Sequence, residues 1–317
     1  MADVGVDKIR PGIGLTGLVG DAPVAVESSA GVAGPPELAV LADVIPVLAA
    51  GKFALLTGAG LSTDSGIPDY RGPGSAPRQP LTYQEFVGDA ALRQRYWARN
   101  HIGWATMKHA APNAGHFAAA SLERQGALTG IITQNVDRLH ESAGAMEVVD
   151  LHGRFDQVAC LRCGEIYSRA FVATILTELN PGFLQAVDAA GRIAAGPDAD
   201  ADLENEVLIG TFRVASCPLC GGMLKPDFVF FGENVPKDRV VRAFAMVDSA
   251  TALLVAGSSL TVMSGLRFVR KAARDGKPVI IINRGLTRGD ELATLKLEAG
   301  VSESLTYFTE ALGARLA

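Results

Sequence analysis

No apolar run in this 317-residue chain reaches the roughly 18 residues that mark a membrane span. A basic excess is missing too: 29 Lys and Arg stand against 34 Asp and Glu, a formal net charge of −5. That balance gives no support to nucleic-acid binding driven by overall charge, and neither a nucleic-acid nor a membrane partner is expected. Targeting signals are absent as well. A secretory leader needs a basic start and an apolar centre, but Asp3 and Asp7 come early and glycines interrupt the stretch behind them. A transit peptide should be rich in Arg and poor in acids, whereas Lys8 and Arg10 face Asp3, Asp7, Asp21 and Glu27. A cytoplasmic location is the expectation. Cysteine is scarce, with 4 in the whole chain.

What is present is apolar residue content of 48%, enough for a substantial core, in a length that suits one large domain and a small one. Residues 1–35, rich in Gly, Ala, Val and Pro, read as a disordered tail. Pro36 to Ala50 has Leu38, Leu41, Ile45 and Leu48 near helical spacing, with Pro46 bending the helix. Short apolar runs at Phe53–Leu56, Leu128–Thr133, Val148–Leu151, Thr251–Ala256 and Pro278–Ile282 read as strands. Ala91–Ala110 and Asn113–Gln125 read as helices between them. The alternation argues for an α/β fold with a doubly wound parallel sheet. Residues 72–112 form a helical and loop module, whose Pro73, Pro77 and Pro80 mark a candidate lid. Its Arg93, Arg95, Arg99 and Lys108, mixed with Tyr96, Trp97 and Trp104, read as a solvated helix with aromatic anchors.

Polar residues gather at the C-terminal ends of these strands, where open α/β sheets bind ligands. Gly58-Ala59-Gly60 lets the backbone turn tightly and approach a ligand, although Thr63 holds the third position of the usual dinucleotide fingerprint. Ser62 follows, and then Gly66-Ile67-Pro68-Asp69-Tyr70-Arg71, whose Arg71 could clamp a phosphate. Gln134, Asn135 and Asp137 end the second strand, and His152 ends the third. Gly257-Ser258-Ser259 and Asn283-Arg284-Gly285 end the later two. All four cysteines fall in two pairs, Cys160 with Cys163 and Cys217 with Cys220. Two residues between partners let both thiolates face one ion, so a closed structural zinc site, one per chain, is expected. Leu203–Phe212 reads as an added strand there, and Gly196–Asp200 as an exposed loop.

Taken in order, these motifs resemble the sirtuin family, together with Leu151-His152-Gly153, Leu224-Lys225-Pro226 and Phe231-Gly232-Glu233. The likeness covers about residues 36 to 316. Gln94–Asn100 and Leu292–Leu297 look like the class II subgroup, which includes a mitochondrial member of animals. The resemblance implies NAD-dependent removal of acyl groups from lysine, with transfer of the acyl group to ADP-ribose and release of nicotinamide. It also implies a Rossmann-like NAD domain at 36–155 and 225–317, a zinc domain at 156–224, and a cleft between them. Carried over, His152 is the base that activates a ribose hydroxyl, and Asn135 orients that hydroxyl or a water. Gln134 contacts the ribose, and Asp137 fixes the network or caps the next helix. Ile67 and Asp69, beside Tyr70, hold the carboxamide, with Arg71 near phosphate. Ser62 and Ser258, with Gly257 and Ser259, contact phosphate or ribose. Asn283, with Arg284 and Gly285, meets the adenosine ribose, and Val301 the adenine. Val229, Phe230, Phe231, Gly232 and Glu233 lie in an extended segment, Val229–Asn234, that takes the acyl-lysine protein or peptide as an added strand. A monomer is compatible with all of this. A mono-ADP-ribosyltransferase, a longer-chain deacylase or lipoamidase, and a non-enzymatic NAD or ADP-ribose sensor stay open as alternatives.

Overall fold

The computed structural model describes residues 41–70, 80–190 and 200–316. The tail at 1–35, Pro36–Val40 of the first helix, Arg71, Pro73 and Pro77 of the candidate lid, and Gly196–Ala199 of the expected loop lie outside the described residues.

Six strands form one parallel sheet: β1 (Phe53–Thr57), β2 (Leu128–Thr133), β3 (Val148–Asp150), β7 (Leu253–Ala256), β8 (Val279–Ile282) and β9 (Leu295–Leu297). Their order is β3-β2-β1-β7-β8-β9. The central strands are apolar at consecutive positions because helices cover both faces. Alternate residues then serve opposite cores. Leu55, Leu254 and Ile280 point to one face, against Ala119 and Leu122 of the helix Ala114–Arg124 and Leu305 and Phe308 of the helix Val301–Leu316. Leu56, Val255 and Ile281 point to the other, against Met246 and Val247 of the helix Lys237–Ser249 and Phe268 and Val269 of the helix Met263–Arg274. The expected doubly wound parallel sheet is therefore present.

Register decides where the loops emerge. Thr57 pairs with Thr133 and with Ala256, Thr133 with Asp150, and Ala256 with Ile282. The C-terminal ends of five strands thus lie in one row, and the segments after them leave along a single edge.

A second sheet is antiparallel, in the order β5-β4-β6, from β4 (Gly153–Cys160), β5 (Ile166–Ser168) and β6 (Leu224–Phe228). Phe155 and Val158 of β4 share a core with Phe86, Tyr96 and Trp97 of the helices Tyr83–Gly88 and Ala90–Met107. By contacts, the two sheets belong to one compact unit.

Three expectations change. The first helix is not continuous: a turn at 43–44 precedes a short helix, Ile45–Leu48, with Pro46 in its first turn. Proline has no N–H to lose there, so it opens a helix rather than bending one. Leu203–Phe212 is not a strand. The Asn205 side chain accepts from the Val207 and Leu208 N–H groups and starts the helix Glu206–Thr211. Val229–Asn234 is extended only at its start: β6 ends at Phe228, Phe231 bridges Thr82, and Gly232 turns the chain at φ +77°.

Gly153 opens β4 at φ +87°, and a Cβ there would sit 2.2 Å from the Asp227 carbonyl oxygen of β6. Gly153→Ala combines left-handed strain with a backbone clash. It should cost about 2–4 kcal/mol, read as a lower urea midpoint; an unchanged midpoint would contradict the packing described for this corner.

Candidate active site

A cavity of about 770 Å³ opens along the edge where the strand ends line up. Its walls contain Gly58, Ala59, Gly60, Ser62, Ile67, Asp69 and Tyr70 from the segment after β1, and Gln134, Asn135, Asp137 and His152 from those after β2 and β3. Gly257, Ser258, Ser259, Asn283, Arg284 and Gly285 follow β7 and β8. The opposite wall is Val229, Phe230, Phe231, Gly232 and Glu233. Of the residues singled out for this cleft, Arg71 lies outside the described residues. Val301 is not on the cavity: it is buried in the core beneath the sheet, at the start of the last helix.

The polar floor is one connected network. Asn135 Nδ2 donates to the Gly58 carbonyl and to Ser62 Oγ, both at 3.0 Å. Ser62 Oγ donates to Asp137 Oδ2 at 2.6 Å, and Asp137 Oδ1 accepts from the Leu139 N–H at 3.0 Å. Burial pushes the Asp137 carboxyl up from its ordinary range, against the pull of its bonds from Ser62 and Leu139. Asp137 therefore both anchors the network and caps the turn at Leu139–Ser142. The Ser62 side chain, almost fully buried, is spent inside the floor.

Gln134 ties the next strand in. Its Nε2 donates to Ser258 Oγ at 2.7 Å and to the Thr57 carbonyl at 3.3 Å. Its backbone carbonyl lies 3.0 Å from His152 Nδ1, and His152 Nε2 lies 2.7 Å from Ser264 Oγ. A carbonyl only accepts, so Nδ1 carries the proton and Nε2 presents a lone pair. Burial lowers the His152 pKa to about 4, with the Arg267 and Arg239 cations acting in the same direction and the Gln134 carbonyl against it. The imidazole is neutral at pH 7.

The far wall is aromatic. Phe230 contacts Phe86, Tyr96 and Phe228 with ring centroids 5.0, 5.1 and 5.4 Å apart, and Tyr70 meets Phe231 edge-on at 6.3 Å. Lys225 Nζ donates to the Phe228 carbonyl at 2.6 Å and to Glu233 Oε2 at 3.1 Å, while that same oxygen accepts from the Phe230 N–H at 2.8 Å. Glu233 is thus the clasp of this turn. Sequence reasoning missed Tyr96, Leu81 and Val136 on the apolar side and Met263, Ser264 and Arg267 on the polar side, all of which line the cavity. The usable signal was position: Met263–Arg274 is the helix after β7, so its first turn had to start at the ligand edge.

A model of the Sir2 family matches residues 58–264, more than half of the chain. The chain belongs to the Sir2 family. The sirtuin relatives are close along nearly their whole length. A protein of Mycobacterium avium (strain 104) named "NAD-dependent protein deacetylase 1" is 55% identical over 270 residues, covering 85% of this chain and 95% of that one. One of the same name from Streptomyces coelicolor (strain ATCC BAA-471 / A3(2) / M145) is 52% identical over 286 residues, covering 89% and 93%. A solved structure described as "Sir2-p53 peptide-NAD+" superposes with a TM-score of 0.67 at 30% identity, over 86% of this chain and 98% of that one. Another, "Structure of Sir2Tm bound to a propionylated peptide", does so at 0.64 and 28%, over 87% and 99%. NAD is the co-substrate of sirtuins.

The cysteines of this sirtuin fit a structural metal. Their four Sγ atoms lie within 4.8 Å of one another, with Cys160–Cys220 at 3.5 Å and Cys163–Cys217 at 3.8 Å. Tetrahedral zinc with bonds of about 2.3 Å sets sulfurs about 3.8 Å apart. The Arg162 and Gly222 N–H groups point at Cys160 and Cys220 Sγ, each at 3.4 Å, and the Tyr167 hydroxyl lies 3.1 Å from Cys217 Sγ, donors suited to thiolates. Four thiolates leave no open position, so the ion would hold the small sheet without touching substrate. Metal analysis should find one zinc per chain, and Cys217→Ser should lose it together with several degrees of melting temperature, roughly the range expected for a lost structural site. Zinc-free protein with an unchanged melt would exclude this role.

Proposed function

We propose that this sirtuin is an NAD-dependent protein-lysine deacylase, a deacetylase by default, which transfers the acyl group to ADP-ribose and releases nicotinamide. The observation that carries the reading is one cleft holding a neutral His152 and the Asn135–Ser62–Asp137 network on one side and the Val229–Gly232 segment on the other. The relatives named as NAD-dependent protein deacetylases support it.

NAD supplies a ribose carbon whose bond to nicotinamide can be broken. This chain's residues do the rest. Ile67, Asp69 and Tyr70 would receive the nicotinamide end, with Gly58, Ala59, Gly60, Ser258, Ser259 and Asn283 along the remainder of the dinucleotide. His152 Nε2 would take the proton of a ribose hydroxyl, while Nδ1–H stays on the Gln134 carbonyl, which stabilises the imidazolium formed. Asn135 spends its NH2 on Gly58 and Ser62, which leaves its carbonyl oxygen to orient a hydroxyl or a water. Phe228, Phe230, Tyr96 and Val136 would wall the apolar part of the acyl-lysine, and an extended peptide would lie along the Val229–Gly232 backbone.

The division at 36–155 with 225–317 and at 156–224 belongs to this reading. So does the class II subgroup. Within its Gln94–Asn100 stretch, Gln94 Nε2 donates to the Phe212 and Gly210 carbonyls at 2.7 and 3.2 Å, and Arg95 pairs with Glu206. A cytoplasmic location is part of this reading, since a cluster of four cysteines able to hold one metal suits a reducing compartment. Among the described residues, no helix is long and apolar enough to cross a membrane.

The test is NAD-dependent turnover on peptides carrying acetyl to long acyl chains. Acyl-ADP-ribose and nicotinamide should appear with wild type, and His152→Ala should lose at least about 100-fold in kcat. A mass gain of ADP-ribose on protein, or His152→Ala turning over as wild type does, would overturn the reading.

A further inference from the structure

The segment after β7 does more than line the cleft. Its helix, Met263–Arg274, begins without a side-chain cap, so the Ser264 hydroxyl in the first turn is not used to start the helix. That hydroxyl lies 2.7 Å from His152 Nε2 instead. With Nδ1–H on the Gln134 carbonyl, Nε2 is an acceptor and Ser264 is the donor. The neighbouring Gly265 lets the same turn rest directly on Gln134: a Cβ there would fall 2.6 Å from Gln134 Oε1. The helix thus meets the ring at Nε2 through Ser264, while the Gln134 backbone carbonyl meets it at Nδ1.

We propose that Ser264 is a positioning residue for His152, holding the imidazole plane and its Nδ1–H tautomer through the hydrogen bond at Nε2 on the cleft wall. The inference rests on the reading of His152 as the base. A serine hydroxyl carries one donor and two acceptor sites and rotates. Nε2 has a single lone pair, so the Ser264 hydroxyl rotates off it to admit the ribose hydroxyl. The ribose O–H bond then breaks as Nε2–H forms, the electron pair stays on the ribose oxygen, and Ser264 Oγ becomes an acceptor for the new N–H. The need for such an acceptor is sharpened by charge. Arg267 on the same helix and Arg239 from Lys237–Ser249 both oppose the imidazolium, and the Arg239 charge is partly met by Asp227 at 3.5 Å. An oxygen able to accept at Nε2 offsets part of that repulsion.

The experiment compares full-length wild type, Ser264→Ala and Ser264→Thr by steady-state kinetics and by 15N NMR of labelled histidine. Wild type should show His152 protonated at Nδ1, with an Nε2 shift typical of a hydrogen-bonded acceptor. Ser264→Ala should move that resonance toward an unbonded nitrogen and lower kcat about tenfold, with KM for NAD nearly unchanged. Ser264→Thr, which keeps the hydroxyl, should restore both. Wild-type kcat or a wild-type Nε2 shift in Ser264→Ala would overturn the proposal, as would a loss that threonine does not rescue. A wild type with no turnover would remove the deacylase reading instead, and the resonance alone would then decide whether Ser264 holds the ring.

Discussion

A contact with no room for side chains governs the rest. The chain leaving β1 and the chain leaving β7 meet at the centre of the sheet, where the strand order reverses. The Gly58 N–H donates to the Ala256 carbonyl at 3.1 Å and the Gly60 N–H to the Gly257 carbonyl at 2.8 Å. A Cβ on Gly60 would sit 2.9 Å from Gly257 Cα, and one on Gly58 2.7 Å from Ser258 Cβ. Gly257 itself turns at φ +68°. Reversal of strand order opens a crevice there, and the glycines let its two lips interlock. The interlock sets Ser258 beside the β1 exit, where Gln134 reaches it at 2.7 Å, and the direct pairing of β1 with β2 sets Asn135 3.0 Å from Ser62.

The polar network then makes its own demands. Inside a low-dielectric floor an unsatisfied group is expensive, and a complete network is rigid. Asp137 shows the balance: burial works against its charge, while Ser62 and the Leu139 N–H favour it. The turn at Phe228–Glu233 is held in the same manner. Lys225 is buried and its charge is disfavoured by burial, yet it meets Glu233 and two backbone carbonyls and lies 4.7 Å from the Phe230 ring centroid. A buried pair of this kind adds little net stability, because desolvation consumes most of its attraction. What it provides is one defined path for the backbone of the cleft's far wall.

This hierarchy explains what could be read in the sequence. Strands covered on both faces are continuous apolar runs, so β1, β2, β7 and β8 were legible to within a residue or two. In-register parallel pairing puts the next polar residues on one edge, and Gly58, Gln134, His152, Gly257 and Asn283 do converge there. The four cysteines announced their cluster by spacing alone. Other features depended on competitions invisible to periodicity. Leu203–Phe212 has apolar residues compatible with either period, and the Asn205 cap decided for helix. Val229–Asn234 looked extended, but the left-handed Gly232 and the Glu233 clasp end the run. Ser264 belongs to no motif, and its reach to His152 depends on the rotation of one helix about its axis, which distant packing of Leu266, Phe268 and Val269 sets.

The histidines show why a perturbed pKa does not by itself identify a base. Burial lowers His101 and His116 to about 4, as it does His152, and lowers His140 as well. In His140 the ring nitrogen Nε2 lies 2.9 Å from Thr57 Oγ1 beneath the sheet edge, and His116 Nδ1 accepts from the Asn113 N–H as part of a helix cap. His101 contacts Phe183 and Phe212 in the other core. Their neutrality is a consequence of packing. His152 has the same neutrality, but it lies on the cavity, with its lone pair met by a hydroxyl that can rotate. A base must both lack its proton at working pH and be able to gain one at the moment of reaction. Desolvation supplies the first condition for all four rings; in the proposed role of His152, an open edge and an adaptable partner would supply the second.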